Sequence, residues 1–220
     1  MTLAAAWTQL DAELNLLSGE LRTFAAKRSP LDASHRFTLL DECMLEGLLS
    51  RVWQAWGIFA RTCVVGSCVG TVSTAGNVIA ALPDALSDAH VSGAAIRVKN
   101  KANPPYWGAP NSVLRWEPTW GDVDVLTRVL VGLKPTNHQQ MLAAFSSSHA
   151  SAKALQVIRN GSAHNHSQNM ADIMGLRSAY RVFPINHPTQ ALFWLEPNTS
   201  DFLVTYAIQE LRDAGLAAIA

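Results

Sequence analysis

Apolar residues recur at three- and four-residue steps over two long stretches of this chain, and that repeat restricts the fold more than any other feature. In residues 3–27 it runs through Leu3, Trp7, Leu10, Leu14, Leu17, Leu21 and Phe24. In residues 35–62 it runs through Phe37, Leu40, Met44, Leu48, Val52, Ala55 and Phe59. A period near 3.6 lines such residues along one face of an α-helix, whereas a strand would alternate them between two faces. Pro30 ends the first stretch, and Asp32 or Ser34 is placed to cap the second. Further helical patterns cover 84–99, 122–133, 136–145, 150–159, 166–181 and 199–217, punctuated by Pro135, Gly161, Pro184, Pro188 and Pro197. Residues 63–82 are small and apolar, with Gly66, Gly70 and Gly76, and read as a turn into a shorter helix or an extended piece. Strands do not alternate with helices, so the expected fold is one all-α domain over residues 1–220.

One segment departs from this pattern. Asn100–Gly121 holds four prolines, three tryptophans and two glycines. Flexible linkers rarely spend aromatics, so 100–121 reads as an ordered irregular insertion.

Composition limits the partners. Charged residues make up 15% of the chain, below the usual quarter of a globular protein, and Trp occurs seven times. Either the core is large or some apolar surface is covered by a partner such as a second copy. Lys+Arg and Asp+Glu both number 17, which argues against gripping duplex nucleic acid through a broad basic surface but leaves room for a local basic cleft. Cys43, Cys63 and Cys68 form an odd set with no C-x-x-C pair, as expected of reduced thiols in a cytoplasmic protein. The first residues carry no basic leader and no apolar run reaches membrane-spanning length, so neither a signal peptide nor a membrane span is expected. The sequons at Asn160, Asn165 and Asn198 then read as chance matches.

The stretch Arg159-Asn160-Gly161-Ser162-Ala163-His164 concentrates the chemistry. Arg is a permanent cation with a fork that fits phosphate, and His exchanges a proton near neutral pH. Together they suit a phosphodiester: Arg159 offsets charge on the phosphate oxygens, His164 moves the proton, and Asn160 orients. Were the nucleophile the ribose 2′-OH, already beside the scissile phosphate in RNA, no metal or other cofactor would be needed. On an unbroken α-helix, residues five apart point roughly 140° from one another. Convergence of Arg159 and His164 is therefore expected to need a helix break at Gly161–Ser162, with Ser162 or Asn165 capping the helix that follows.

The Arg-Asn-x3-His pattern between two late helices resembles the HEPN superfamily (higher eukaryotes and prokaryotes nucleotide-binding), whose hallmark is R-x4–6-H with a polar residue after the Arg. Arg159, Asn160 and His164 fall on those positions, and the resemblance extends to the helices at 35–62 and 150–181. The insertion at 100–121 matches nothing general in that family. The resemblance implies an HEPN-like helical bundle and a metal-independent endoribonuclease. It also implies a homodimer whose two motifs share one cleft, and a toxin or antiviral-defence effector with a cognate antitoxin or defence partner. The catalytic residues would be Arg159, Asn160 and His164, and the RNA products a 2′,3′-cyclic phosphate and a 5′-OH. Some members of the family bind RNA or protein without catalysis, which is the alternative reading.

Glu42 and Glu46 on the 35–62 helix are candidates to hold Arg159 or fix the His164 tautomer, set against a plain solvated helix face. His164-x-His166 offers two metal ligands but no third at ligand spacing, so His166 belongs to the rim of the cleft or the surface and no metal is expected. Gly66-Ser67-Cys68-Val69-Gly70 has the outline of a nucleophile elbow with Cys as nucleophile, but that elbow needs a parallel sheet, and close helix packing explains the glycines better. Arg97, Lys99 and Lys101 precede Tyr106, Trp107, Trp116 and Trp120. They either grip single-stranded RNA or belong to a loop that its aromatics pin to the body. His187 and the aromatics around it are expected to pack the last helix.

Overall fold

The computed structural model describes residues 2–32, 37–164 and 166–220. Its elements are α1 (Leu3–Arg28), α2 (Leu39–Val69), a two-stranded hairpin of β1 (Thr71–Val72) and β2 (Val78–Ile79), α3 (Asp88–Lys99), α4 (Val123–Leu133), α5 (His138–Ser147), α6 (His149–Ala163), α7 (Ser167–Gly175) and α8 (Leu203–Ile219). Short 3-10 turns lie at Leu114–Trp116, Leu176–Ser178 and Pro188–Phe193. The fold is all-α. No helix among the described residues is long and apolar enough to cross a membrane.

The helix α2 begins later and ends later than its sequence pattern suggests. The start is fixed by a reciprocal cap: Thr38 N donates to Asp41 Oδ2 at 2.9 Å, and Asp41 N donates back to Thr38 Oγ1 at 3.3 Å. Asp32 precedes that start, and Ser34 lies outside the described residues. The end comes at Gly70, whose φ of +99° favours glycine. The chain then turns into the hairpin, in antiparallel register Thr71↔Ile79 and Val72↔Val78.

The apolar stripe assigned to α2 is corrected. Leu40 is 75% exposed and Met44 is 42% exposed. The buried face instead carries Leu45, Leu49, Val52, Trp53, Trp56 and Phe59. Two apolar stripes share this helix, and the one holding both tryptophans removes more apolar area from water. Most of the Trp content goes the same way: Trp53, Trp56, Trp120 and Trp194 are buried, while Trp116 stands half exposed.

The chain forms two compact units, and α1 and α2 each contribute one segment to each. The first unit comprises residues up to 11, 56–149 and 212–220. Its core centres on Trp56, which meets Phe145 edge-on at 5.5 Å, with Leu126, Leu130 and Met141. Two glycines allow close helix approach here. A Cβ on Gly132 would lie 2.7 Å from Val98, and one on Gly93 would lie 2.2 Å from the Ala109 carbonyl oxygen. The insertion is therefore seated directly on α3.

That seat is completed by a charged pin. Arg61 meets Glu117 through both fork nitrogens, Nε at 2.6 Å and Nη2 at 2.8 Å, and the Trp120 indole donates to the same carboxylate at 2.8 Å. Burial would raise the Glu117 carboxyl, but hydrogen bonds from Arg61, Trp120 and Ser92 outweigh it and hold the group below the ordinary carboxylate range. The same pair raises Arg61 above its ordinary value.

The second unit comprises residues 12–55 and 150–211. Leu14, Leu17 and Leu21 of α1, Leu45 and Leu49 of α2, Leu155 and Ile158 of α6, and Leu203 of α8 fill it. Phe193 stacks on Phe24 at 5.5 Å and takes Phe37 and Phe202 edge-on. This packing explains the 181–197 segment, whose His187 caps the Pro188–Phe193 turn by accepting from Thr189 N at 3.4 Å.

Candidate functional site

α6 buries Ala154, Leu155, Ile158 and Gly161, a spacing that leaves Arg159 and Asn160 half-buried on its flank. The expected helix break at Gly161–Ser162 does not occur. α6 continues through Ala163, Ser162 Oγ donates back to Arg159 O at 3.0 Å, and His164 N still donates to Asn160 O at 3.0 Å. Gly161 serves packing instead. A Cβ there would lie 2.6 Å from Ile173 Cδ1, so the glycine lets α7 close onto α6.

The turn comes immediately after. His166, not Ser162, caps α7 by accepting from Asn169 N at Nδ1, 3.4 Å away, and Asn165 lies outside the described residues. Asn169, which sequence reasoning missed, ties the corner together. Its side-chain amide donates to Asn160 O at 3.3 Å and also to His164 O, satisfying two carbonyls at the end of α6. Its signal was weak: an Asn three residues into a helix reads as an ordinary poor helix former.

Helical continuity keeps Arg159 and His164 on directions roughly 140° apart, and no contact joins their side chains among the described residues. Asn160 lies between those directions. Arg159 Nη1 donates to Asn160 Oδ1 at 3.2 Å. That is the only hydrogen bond found for the Arg159 guanidinium among the described residues, and no carboxylate pairs with it. His164 is exposed. The corner thus offers an Arg fork with most of its donors open and an accessible imidazole.

The expected helpers stand elsewhere. Glu46 Oε1 lies 3.5 Å from His187 Nε2. Glu42 sits in the first turn of α2, and neither carboxylate contacts Arg159 or His164 among the described residues. His166 is spent on its cap. The Cys elbow is absent as well: Cys68 is on α2 rather than after a strand, fully buried, with burial pushing its thiol up to about 12. Such a thiol holds almost no thiolate at neutral pH. Comparison of the chain with protein-family models, with curated proteins and with solved structures finds no match to any of them.

Proposed function

We propose that this protein is a metal-independent endoribonuclease that works as a homodimer, with the α6–α7 corner as its catalytic element. The open Arg159 fork beside Asn160 and the exposed His164 carry this reading. His164 takes the proton of the ribose 2′-OH as that oxygen attacks the adjacent phosphorus. Arg159 offsets the charge gathering on the phosphate oxygens. The P–O5′ bond breaks, and the imidazolium of His164 gives its proton to the leaving oxygen, which yields a 5′-OH and a 2′,3′-cyclic phosphate and returns the imidazole to its starting state. Asn160 positions Arg159. Because the two side chains leave α6 on different sides, a second copy would supply the facing motif. The setting that fits is a toxin or antiviral-defence effector of the HEPN kind, held in check by an antitoxin or a defence partner.

One observation favours the alternative, a non-catalytic RNA- or protein-binding module. No group that would fix the tautomer of His164 touches its ring among the described residues. Incubation of the purified protein with total RNA and a chelator decides between them. Cleavage that persists with chelator and disappears in His164→Ala supports the enzyme. Equal cleavage by that variant overturns it, and binding without cleavage supports the module.

A further inference from the structure

From Ala89 to Trp116 the sequence holds Arg97, Lys99, Lys101 and Arg115 and not one Asp or Glu. Since the whole chain is neutral, this stretch concentrates positive charge that net charge conceals. All of it belongs to the first unit. Arg28, Arg51, Arg61 and Arg212 each meet a carboxylate. None of Arg97, Lys99, Lys101 and Arg115 forms an ion pair among the described residues, and Arg97, Lys101 and Arg115 are exposed.

The aromatics in the same stretch divide into two kinds. Trp120 is buried and hydrogen-bonded to Glu117. Trp116 is 54% exposed although it lies only one residue before that pinned glutamate. Tyr106 and Trp107 are half exposed. Lys99 Nζ donates to the carbonyls of Trp116 at 3.5 Å and Glu117 at 3.3 Å, which ties the end of α3 to the backbone that carries the exposed indole. Arg97 Nη1 reaches the space beside Gly108, the residue after Trp107. Partly exposed rings and cations without a carboxylate partner therefore share the stretch formed by the end of α3 and the insertion seated on it.

We infer that this surface of α3 and the insertion binds single-stranded RNA, with Trp116 as a base-stacking platform and Arg97, Lys99, Lys101 and Arg115 as phosphate contacts. The inference rests on the ribonuclease reading only for its choice of RNA. Stacking suits unpaired bases, whose faces are free, and the cations track the backbone without reading sequence. The pin formed by Arg61, Glu117 and Trp120 then keeps the platform in place before a strand arrives, which spares the ordering cost of binding. The two readings of the insertion combine: one tryptophan anchors it, the next is left for a ligand.

The test is fluorescence anisotropy of a labelled uridine-rich single strand of about 15 nucleotides, within the span such surfaces cover. It uses the full chain carrying His164→Ala, so that no cleavage intervenes. Trp116→Ala should weaken binding about tenfold, as removal of one stacking partner does. The triple variant Arg97→Glu, Lys101→Glu and Arg115→Glu should weaken it at least about a hundredfold and flatten the dependence of log Kd on log salt by about 2, near 0.7 for each phosphate no longer neutralised. These three side chains make no hydrogen bond among the described residues, so an unchanged thermal midpoint is expected of the variant. Affinity within twofold of the parent for both variants would overturn the inference, as would tighter binding of the duplex form of the same strand. Because binding is read without turnover, absence of cleavage in the parent enzyme leaves this result standing.

Discussion

Arg61 and Arg159 are both half-buried arginines on helices, and their surroundings differ in kind. Arg61 spends its fork on both oxygens of Glu117, a carboxylate that also takes the Trp120 indole. Arg159 has one neutral partner, Asn160, at 3.2 Å. An arginine closed onto a buried carboxylate contributes to folding, because opening it strands a charge away from water. An arginine held by an amide oxygen keeps its charge uncompensated and most of its donors free, which is the condition for meeting a phosphate. Chain position and residue type alone do not separate the two; what fills the fork does.

Exchanging the outcomes of the two alanine variants would break this comparison. Arg159→Ala should cut RNA cleavage by about 10³-fold, some 4 kcal/mol of barrier, while urea unfolding shifts by less than about 0.5 kcal/mol. Arg61→Ala should do the reverse, costing about 2–3 kcal/mol of stability, below the full value for a buried pair because the Arg61 side chain is 28% exposed. A cleavage loss in Arg61→Ala that exceeds its loss of folded protein would remove the distinction.

The acid limb of stability offers a smaller and more specific reading. The Glu117 carboxyl is held below its unfolded value, so its contribution is complete above about pH 4, the ordinary carboxylate range, and is lost as pH falls through the lower folded value. Unfolding free energy measured from pH 6 downward should fall in the parent. The fall should be shallower in Glu117→Gln, which keeps the shape of the pin but has no proton to bind. Parallel curves would mean that the pin adds nothing to the pH dependence. Asn160→Ala sharpens the other arm. It should lower cleavage about tenfold, less than Arg159→Ala, with substrate affinity little changed, because it removes only the tether that aims the guanidinium.

Much of this was legible in sequence, and the failures have physical causes. The α1 stripe read correctly but for one position: Leu3, Leu10, Leu14, Leu17, Leu21 and Phe24 form a single apolar face and are all buried, and Trp7 is half-buried. α2 carries two apolar faces, and periodicity cannot say which meets the core; the neighbours decide, and they chose Trp53 and Trp56 over Leu40 and Met44. At the candidate site Arg159, Asn160 and His164 were singled out by their chemistry, and the helix end expected at Gly161–Ser162 comes only after Ala163. Glycine has two uses, backbone freedom and the absence of a Cβ, and sequence does not distinguish them. Gly161 needs the second. Asn169 was missed because a side chain that closes the end of a neighbouring helix leaves no pattern in its own.

The misplaced corner can be tested on that glycine, and the effect is the smallest of the set. If Gly161 exists to admit Ile173, Gly161→Ala gains about 1 kcal/mol of helix propensity but forces a methyl to within 2.6 Å of Ile173 Cδ1, at about 1–3 kcal/mol for overpacking. The net change should be a loss of about 1 kcal/mol in urea unfolding. Ile173→Val removes the obstructing carbon. In the parent it should cost about 1 kcal/mol, and in the Gly161→Ala background close to nothing, a coupling of about 1 kcal/mol between residues on different helices. Gly47→Ala provides the contrast. Nothing lies within 4 Å of its Cβ position, so there the propensity gain should appear alone, as about 0.5–1 kcal/mol of added stability. Additive behaviour of Gly161→Ala and Ile173→Val would instead mean that the missing Cβ of Gly161 is not what admits Ile173.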